Sequence, residues 1–484
     1  MTAPQPPRLD APLRRLLGVI VIGIFLSVLD MTVVNVAIDR LGVRLHSSVA
    51  STQWVITSYL LALAAAVPLT GWASRRFSAR RAYLACLLVF TMGSALCGLA
   101  WSLGSLVAFR AIQGIGGGAL FPIAQTIIAR EAGPRRMART LSIIGSVSVL
   151  APVLGPIMGG FILDHFSWRW IFLVNLPIGV VGLVLAWLRL PADQPEATGG
   201  PDVVGLIAMG LGLPAFTYAT AELGEGAPIA SFRGGGLLLI SLILIAFFIW
   251  HALRVKGPLL DLRLFANRTY ATATAAMFMF SAAVFGPYLV MPLFFQQVQH
   301  ASAEGAGALF AAQAIGAAAS IRLGGILGHR VQAGVLASCG AVIMIAFTLV
   351  LPSFDQMTSH IEAVVVLVGR GFGIGLAMIP LIAAALSELE RRQLPDGSAQ
   401  SNVVQRIGSS LATTAIAVLL SNQLGSGTQA SPAHVAMAYD RTLWAAVGLA
   451  VLVLPFALAL LGCQRRTAAR AAWELRRART ASDR

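Results

Sequence analysis

Apolar stretches follow one another along almost the whole chain, each set off from the next by a few charged, proline or glycine positions. Each stretch is about 20 residues long, and a helix of that length, rising about 1.5 Å per residue, crosses a hydrocarbon core of roughly 30 Å. Strands of a membrane barrel would be shorter and would alternate polar with apolar positions, so the pattern predicts helices. Taken in order, the runs predict spans over 16–38, 52–71, 82–101, 103–127, 138–163, 168–190, 203–221, 235–253, 269–292, 304–326, 331–351, 361–384, 398–422 and 439–463. The expected fold class is an all-α polytopic membrane protein with fourteen transmembrane helices.

The polar breaks carry a pattern of their own. Arg75, Arg76, Arg80 and Arg81 follow the second span, Arg135, Arg136 and Arg139 the fourth, and Arg254, Lys256, Arg263 and Arg268 the eighth, while a basic tail begins at Arg465. All fall on the side of the N-terminus, and cations gathered in every second loop mark the cytoplasmic side. A multi-pass protein of the cytoplasmic (inner) membrane with both termini in the cytoplasm is expected. The start, with Arg14 and Arg15 before an apolar run, resembles a signal peptide, but no small-residue cleavage site follows and the run is read as the first span.

A short internal repeat organises the runs. Gly71-Trp72-Ala73-Ser74-Arg75-Arg76-Phe77 after the second span is echoed by Gly325-Ile326-Leu327-Gly328-His329-Arg330-Val331 after the tenth, and Arg110 early in the fourth by Arg370 early in the twelfth. The repeat predicts two six-helix bundles, 1–190 and 269–463, enclosing a site between them. Residues 191–268 form a linker with two inserted helices, and 464–484 a basic cytoplasmic tail, whose cations, Trp473 and Leu475 suit a helix lying on anionic lipid.

A mean hydropathy of +0.79, with 57% hydrophobic and 11% charged residues, excludes a soluble domain. The net charge of +15 would suit nucleic acid if the arginines gathered on one soluble face; spread over alternate loops and termini, they do not. Cys86, Cys97, Cys339 and Cys463 lie in or beside apolar segments without a CxxC and read as packing residues.

The first span is interrupted by Leu29-Asp30-Met31-Thr32-Val33-Val34-Asn35. A carboxylate deep in a membrane helix costs about 2.5–3.5 kcal/mol, so it must face a protein interior or a wet cavity. Burial disfavours its charged form and a nearby cation favours it, which makes Asp30 a candidate to take up and release a proton; a permanent ion pair is the plainer alternative. In the fourth span, Arg110-Ala111-Ile112-Gln113-Gly114-Ile115-Gly116-Gly117-Gly118 joins a buried cation to glycines that admit a close neighbour. Asp30 and Arg110 lie at similar depths, about 10–12 Å inside the outer surface at 1.5 Å per residue, and are placed to meet, unless Arg110 instead bonds carbonyls at a helix break. In the fifth span, Ala151-Pro152-Val153-Leu154-Gly155-Pro156-Ile157-Met158-Gly159-Gly160 predicts a bent helix with Pro152, Gly155, Pro156, Gly159 and Gly160 in a tight seam.

These motifs together resemble the major facilitator superfamily, in its fourteen-span drug/proton antiporter branch of the EmrB/QacA type. Leu29 to Ala37 is similar to that branch's first-helix motif, Arg110 to Gly118 to the fourth-helix motif implicated in proton handling, and Gly155 to Gly160 to the fifth-helix antiporter motif. Ser167-Trp168-Arg169-Trp170-Ile171-Phe172, Asn175-Leu176-Pro177 and Pro258-Leu259-Leu260-Asp261-Leu262-Arg263-Leu264-Phe265 also resemble segments of that branch. The resemblance implies two pseudo-symmetric bundles plus two inserted helices, proton coupling through Asp30 and Arg110, gating around Gly114 and the fifth-helix seam, and a cytoplasmic gate loop at Gly71, Arg75, Arg76, Arg80 and Arg81. Arg75 and Ser78 stand where the wider superfamily carries an Asp and a Gly, and Ala312-Gln313 where a Leu-Pro is usual.

The implied function is multidrug efflux, a proton-coupled export of lipophilic small molecules by alternating access. An exporter of one metabolite and a non-transporting sensor of the same fold are the alternatives. An enzyme would need clustered nucleophiles or metal ligands, and the sequence has no HExxH and no paired intramembrane carboxylates. A channel would need acidic rings or filter-like repeats. No cofactor is expected beyond the proton gradient; the partners are the lipophile, protons, membrane lipids and, where the source has an outer membrane, a periplasmic adaptor. With Asp30 committed to the proton, no second deep anion remains for a cationic drug, which favours neutral or weakly charged lipophiles. Asn35, Gln113, Glu222, Phe25, Tyr59, Phe121, Tyr288 and Phe294 are the candidates for a substrate cavity, the aromatic ones having lipid as their alternative neighbour.

Overall fold

A computed structural model of the chain describes residues 10–196, 200, 202–328, 331–424 and 432–482. Helix α1 (Ala11–Arg44) carries a proline in its first turn, where a missing N–H leaves no bond unmade. A single turn, α2 (Val49–Thr52), leads to α3 (Trp54–Ala66) and α4 (Leu69–Phe77), one expected span bent by 56° where Pro68 removes a backbone donor. After α5 (Ala79–Gly98) comes α6 (Leu103–His165), a run of 63 residues that joins the expected fourth and fifth spans. Its two arms meet at Gly133, whose φ of 64° and ψ of 171° break the helix just before Pro134. The rest follows as α7 (Trp170–Leu173), α8 (Asn175–Arg189), α9 (Val203–Gly224), α10 (Leu237–Arg254), α11 (Arg268–Phe285), α12 (Pro287–Gln297), α13 (Ala303–Leu327), α14 (Ala333–Thr348), α15 (His360–Ser387), α16 (Leu394–Leu424), α17 (Pro432–Val451) and α18 (Val453–Ser482).

Among the described residues, 12 helices are long and apolar enough to cross a membrane, or 13 with the bent pair α3–α4 taken as one span. Of α6, the arm Leu103–Gly133 is counted among these twelve, while the arm that holds the expected fifth span includes residues whose side chains lie outside the described ones. Two boundaries also move. Helix α1 runs six residues beyond Ile38, to Arg44, and the basic tail is not a separate element: α18 continues without a break from apolar Val453 to Ser482.

Helix α6 is the post against which α1, α3 and α5 pack. Its glycines make that possible: a Cβ at Gly114 would lie 2.5 Å from the Tyr59 carbonyl, at Gly118 2.6 Å from that of Leu63, and at Gly116 2.5 Å from the Phe90 amide. Only Gly lets backbones approach so closely, which is why the run is placed where two helices press on one. Helix α15 repeats the arrangement with α13 and α14, Gly371 meeting the Gln313 carbonyl and Gly373 the Met344 backbone.

The helices up to Arg189 meet those from Arg268 chiefly through α6 against α13 and α15 and through α16 against α4 and α6. The ion pairs and hydrogen bonds between these two sets, among the described residues, are Arg75–Asp396, Arg391–Glu131 at 3.3 Å and Asn402–Gln125 at 2.7 Å. All lie toward the arginine-rich end of the molecule, as do Ala138 and Ser142 against Gly325. The inserted pair stands to one side. Helix α9 bridges the seam, with Tyr218 stacked on Trp54 at 5.7 Å and Thr220 bonded to Ser410 at 2.5 Å. Helix α10 presents Leu239, Ile243, Phe247 and Trp250 outward, an apolar face that suits lipid.

Candidate functional site

Asp30, 1% exposed at the middle of α1, is the centre of a closed polar network. Its Oδ2 accepts from Arg110 Nη1 at 2.5 Å; its Oδ1 accepts from Gln113 Nε2 at 2.9 Å and from Asn175 Nδ2 at 3.0 Å. Arg110 lies on the face of α6 turned to α1 and α3, and spends its other donors on Gln113 Oε1 at 2.8 Å and the Val55 carbonyl at 3.1 Å. Its guanidinium also rests 4.1 Å from the ring centroid of Tyr59, a cation over an aromatic face. Asn175, at the start of α8, adds a bond to Ser94 Oγ at 3.0 Å, and Ser94 donates to the Phe172 carbonyl at 2.9 Å. Three donors from two other helices therefore converge on one carboxylate, whose two oxygens accept all three.

At the arginine-rich end, Arg75 in the last turn of α4 pairs with Asp396 in the first turn of α16, with side chains 13% and 9% exposed. Gly71 sits directly beneath: a Cβ there would lie 2.6 Å from Asp396 Oδ1 and 3.4 Å from its Cα, so any larger residue would push α16 away. Ser78 ends α4 with φ 81° and ψ 149°, a backbone region that glycine favours, and its hydroxyl accepts from the Arg81 amide at 3.3 Å to cap α5. Asp193 supports the same turn by accepting from the Ala79 amide at 2.7 Å and the Arg80 amide at 3.2 Å. Arg80 also donates to the Trp187 carbonyl, while Arg76, exposed, lies 5.9 Å from the Phe77 ring.

The structure corrects several site assignments made from sequence. Gln113 and Tyr59 are fully buried against Arg110 here, and Phe294 packs among Phe295, Phe354 and Tyr439. In the fifth-span seam, a Cβ at Gly155 would collide with Thr32 and one at Gly159 would press on the Val33 carbonyl at 3.2 Å, but Gly160 has nothing within 4 Å and belongs to no close contact. The side chains of Pro152 and Pro156 lie outside the described residues, as do His329 and Arg330 of the repeated loop. Phe25 and Phe121 are half-buried, Asn35 is exposed on α1, and Tyr288 is 45% exposed although it stands within electrostatic reach of buried Arg370. Glu222, half-buried at the end of α9, bonds Tyr218. Sequence reasoning missed Asn175 and Asp396. Asn175 lies inside one of the motifs without a role assigned to it, and Asp396 falls outside the expected span 398–422, whose helix begins four residues earlier, at Leu394.

Arg370 completes the internal repeat with a difference. It is fully buried like Arg110, yet among the described residues it donates only to uncharged oxygens: Thr348 Oγ1 at 3.2 Å, Gln313 Oε1, and the Ala283 and Val284 carbonyls at 3.0 and 3.4 Å.

Residues 20–413 match the family model described as Major Facilitator Superfamily. The chain belongs to that superfamily. Among its relatives, a multidrug resistance protein B homolog of Mycobacterium tuberculosis is 37% identical over 422 residues, covering 86% of this chain and 78% of that one. The multidrug export protein EmrB of Haemophilus influenzae is 29% identical over 398 residues, covering 81% and 77%. The fold agrees with a solved superfamily member, the proton:xylose symporter XylE, at a TM-score of 0.62 and 15% identity, over 93% of this chain and 96% of that one. A superfamily chain with many apolar helices is a multi-pass membrane transporter rather than an enzyme.

Proposed function

We propose that this superfamily member is a proton-driven exporter of lipophilic small molecules, of the fourteen-span drug/proton antiporter type, with its arginine-rich end in the cytoplasm. The arms of α6 then count as separate spans, and the helices before and after the inserted pair form two six-helix bundles. Relatives named for multidrug resistance and export support the substrate class. The observation that carries the proton reading is the Asp30 carboxylate, buried and held by donors from α6 and α8.

Protonation of Asp30 would place a hydrogen on an oxygen that now faces a donor. Uptake of a proton therefore breaks the bond to Arg110 or to the amides and loosens α1 from α6, whose other arm bears the seam against Thr32. Contacts between the bundles at the cytoplasmic end, Arg75–Asp396 and Arg391–Glu131, support reading this as an arrangement closed on that side, from which Asp30 takes its proton from outside. Return to the cytoplasmic side delivers the proton and exposes the cavity to a new substrate. A membrane potential of about 150 mV supplies roughly 3.5 kcal/mol per proton, enough for roughly 300-fold accumulation of a neutral lipophile.

Purified protein in liposomes holding a pH-sensitive dye tests this directly. Adding a transported lipophile to acid-loaded vesicles should release protons, and a protonophore should abolish accumulation. Accumulation that continues unchanged after the gradient collapses refutes the coupling.

A further inference from the structure

We propose that the lipophiles exported by this protein bear an anionic group, and that Arg406, in the space between the two sets of helices, binds it. The inference rests on the efflux reading above and narrows its substrate. Helix α16 carries Asn402 and Arg406 four residues apart, hence on one face. Asn402 Nδ2 donates to Gln125 Oε1 of α6 at 2.7 Å, so that face looks across the seam at the N-terminal helices. Arg406 stands one turn farther from the Arg75–Asp396 pair, about 6 Å along the axis, and within electrostatic reach of Tyr59, the residue stacked on Arg110.

The guanidinium of Arg406 is half-buried and makes no hydrogen bond or ion pair among the described residues. Among the described residues, the carboxylates Asp30 and Asp396 are committed to Arg110 and Arg75. Arg370, buried within the C-terminal helices, is likewise without a carboxylate among the described residues. Gln125 Nε2, buried beside Asn402, has no acceptor either. The seam between these helices thus holds an unpaired guanidinium and a spare donor, with no carboxylate on either among the described residues. A lipophilic cation entering there meets the like charge of Arg406, whereas a lipophilic anion meets a counter-charge that no carboxylate already neutralises.

Tetraphenylborate and tetraphenylphosphonium are nearly the same size and shape and opposite in charge, and they separate this reading from simple lipophilicity. Equilibrium dialysis of the purified protein in detergent, with protein-free micelles as the blank, should give tighter binding of the borate. Arg406→Gln should weaken borate binding by about tenfold and leave phosphonium binding no weaker, while Arg406→Lys should restore part of the loss. Wild-type protein that binds the phosphonium as well as the borate overturns the proposal without any mutant, and so does an Arg406→Gln protein with unchanged melting and an unchanged preference for the borate. Because binding is read without a gradient, it can fail while the proton-release test succeeds, and the reverse.

Discussion

Replacing Asp396 by Asn should open the arginine-rich end of the protein, the cytoplasmic side in the proposed orientation. The Arg75–Asp396 pair sits at the junction of α4 and α16 with both side chains largely out of solvent, and Gly71 lets the two helices come close enough to form it. Removing one partner of such a pair leaves the other buried without a counter-charge, at a cost of about 3–5 kcal/mol. Only the conformation closed at this end bears that cost, so the balance between closed and open should move by about a hundredfold or more, taking 1.4 kcal/mol per factor of ten. The readout is alkylation of Ser398→Cys, a position fully buried two residues beyond the pair, in a background lacking the four native cysteines. A membrane-impermeant maleimide on the cytoplasmic side should react with it about a hundredfold faster when Asp396→Asn is present. Gly71→Ala should act in the same direction, since its Cβ would press on the same carboxylate, and should add little to Asp396→Asn because both release one contact. Equal alkylation rates in all backgrounds, in protein that melts normally, would show that the pair does not hold the gate.

Gly155→Val should cost about 1–3 kcal/mol of stability and most of the transport, because its side chain has to displace Thr32, whereas Gly160→Val, with open space around it, should be near neutral; thermal melting and efflux of the two variants decide. Ser78→Gly should stabilise the protein by about 1 kcal/mol, the relief of a positive-φ backbone outweighing the lost cap on Arg81, and an unchanged or lower melting temperature contradicts it. Asp202, ahead of α9, is pushed up by burial, but the Gly205 amide, the His251 ring and the Leu259 amide outweigh this and hold its carboxyl below the usual range. A carboxylate lowered in the folded state stabilises above its unfolded value of about 3.9 and loses that contribution as the pH falls, so melting should drop more steeply between about pH 5 and pH 3 in wild type than in Asp202→Asn.

The helices were legible because the bilayer imposes a length and excludes unpaired backbone, and the Asp30–Arg110 meeting because both charges had to be buried at one depth. What joins helices far apart in sequence was not. Nothing in the chain marks Asn175 as the third donor to Asp30, since an Asn at a helix start is ordinarily a cap. The Arg75–Asp396 pair stayed hidden because its members lie in different halves and because Asp396 adjoins Pro395, a residue that reads as loop until its helix is seen to begin at Leu394. Gly160 misled in the opposite sense: its neighbour Gly159 faces α1, and one residue farther round the helix the same small side chain faces open space.

Substrate-driven proton release from proteoliposomes containing Asp30→Asn tests the central claim most directly. The amide keeps nearly the volume of the acid, so binding of the lipophile should persist, although the uncompensated Arg110 should lower stability by about 3–5 kcal/mol. Proton release, normalised to folded protein, should be absent, because no other carboxylate touches Arg110 among the described residues. Coupled proton release that survives in the folded fraction would make Asp30 a structural anchor of α1 to α6 and would move the proton carrier elsewhere.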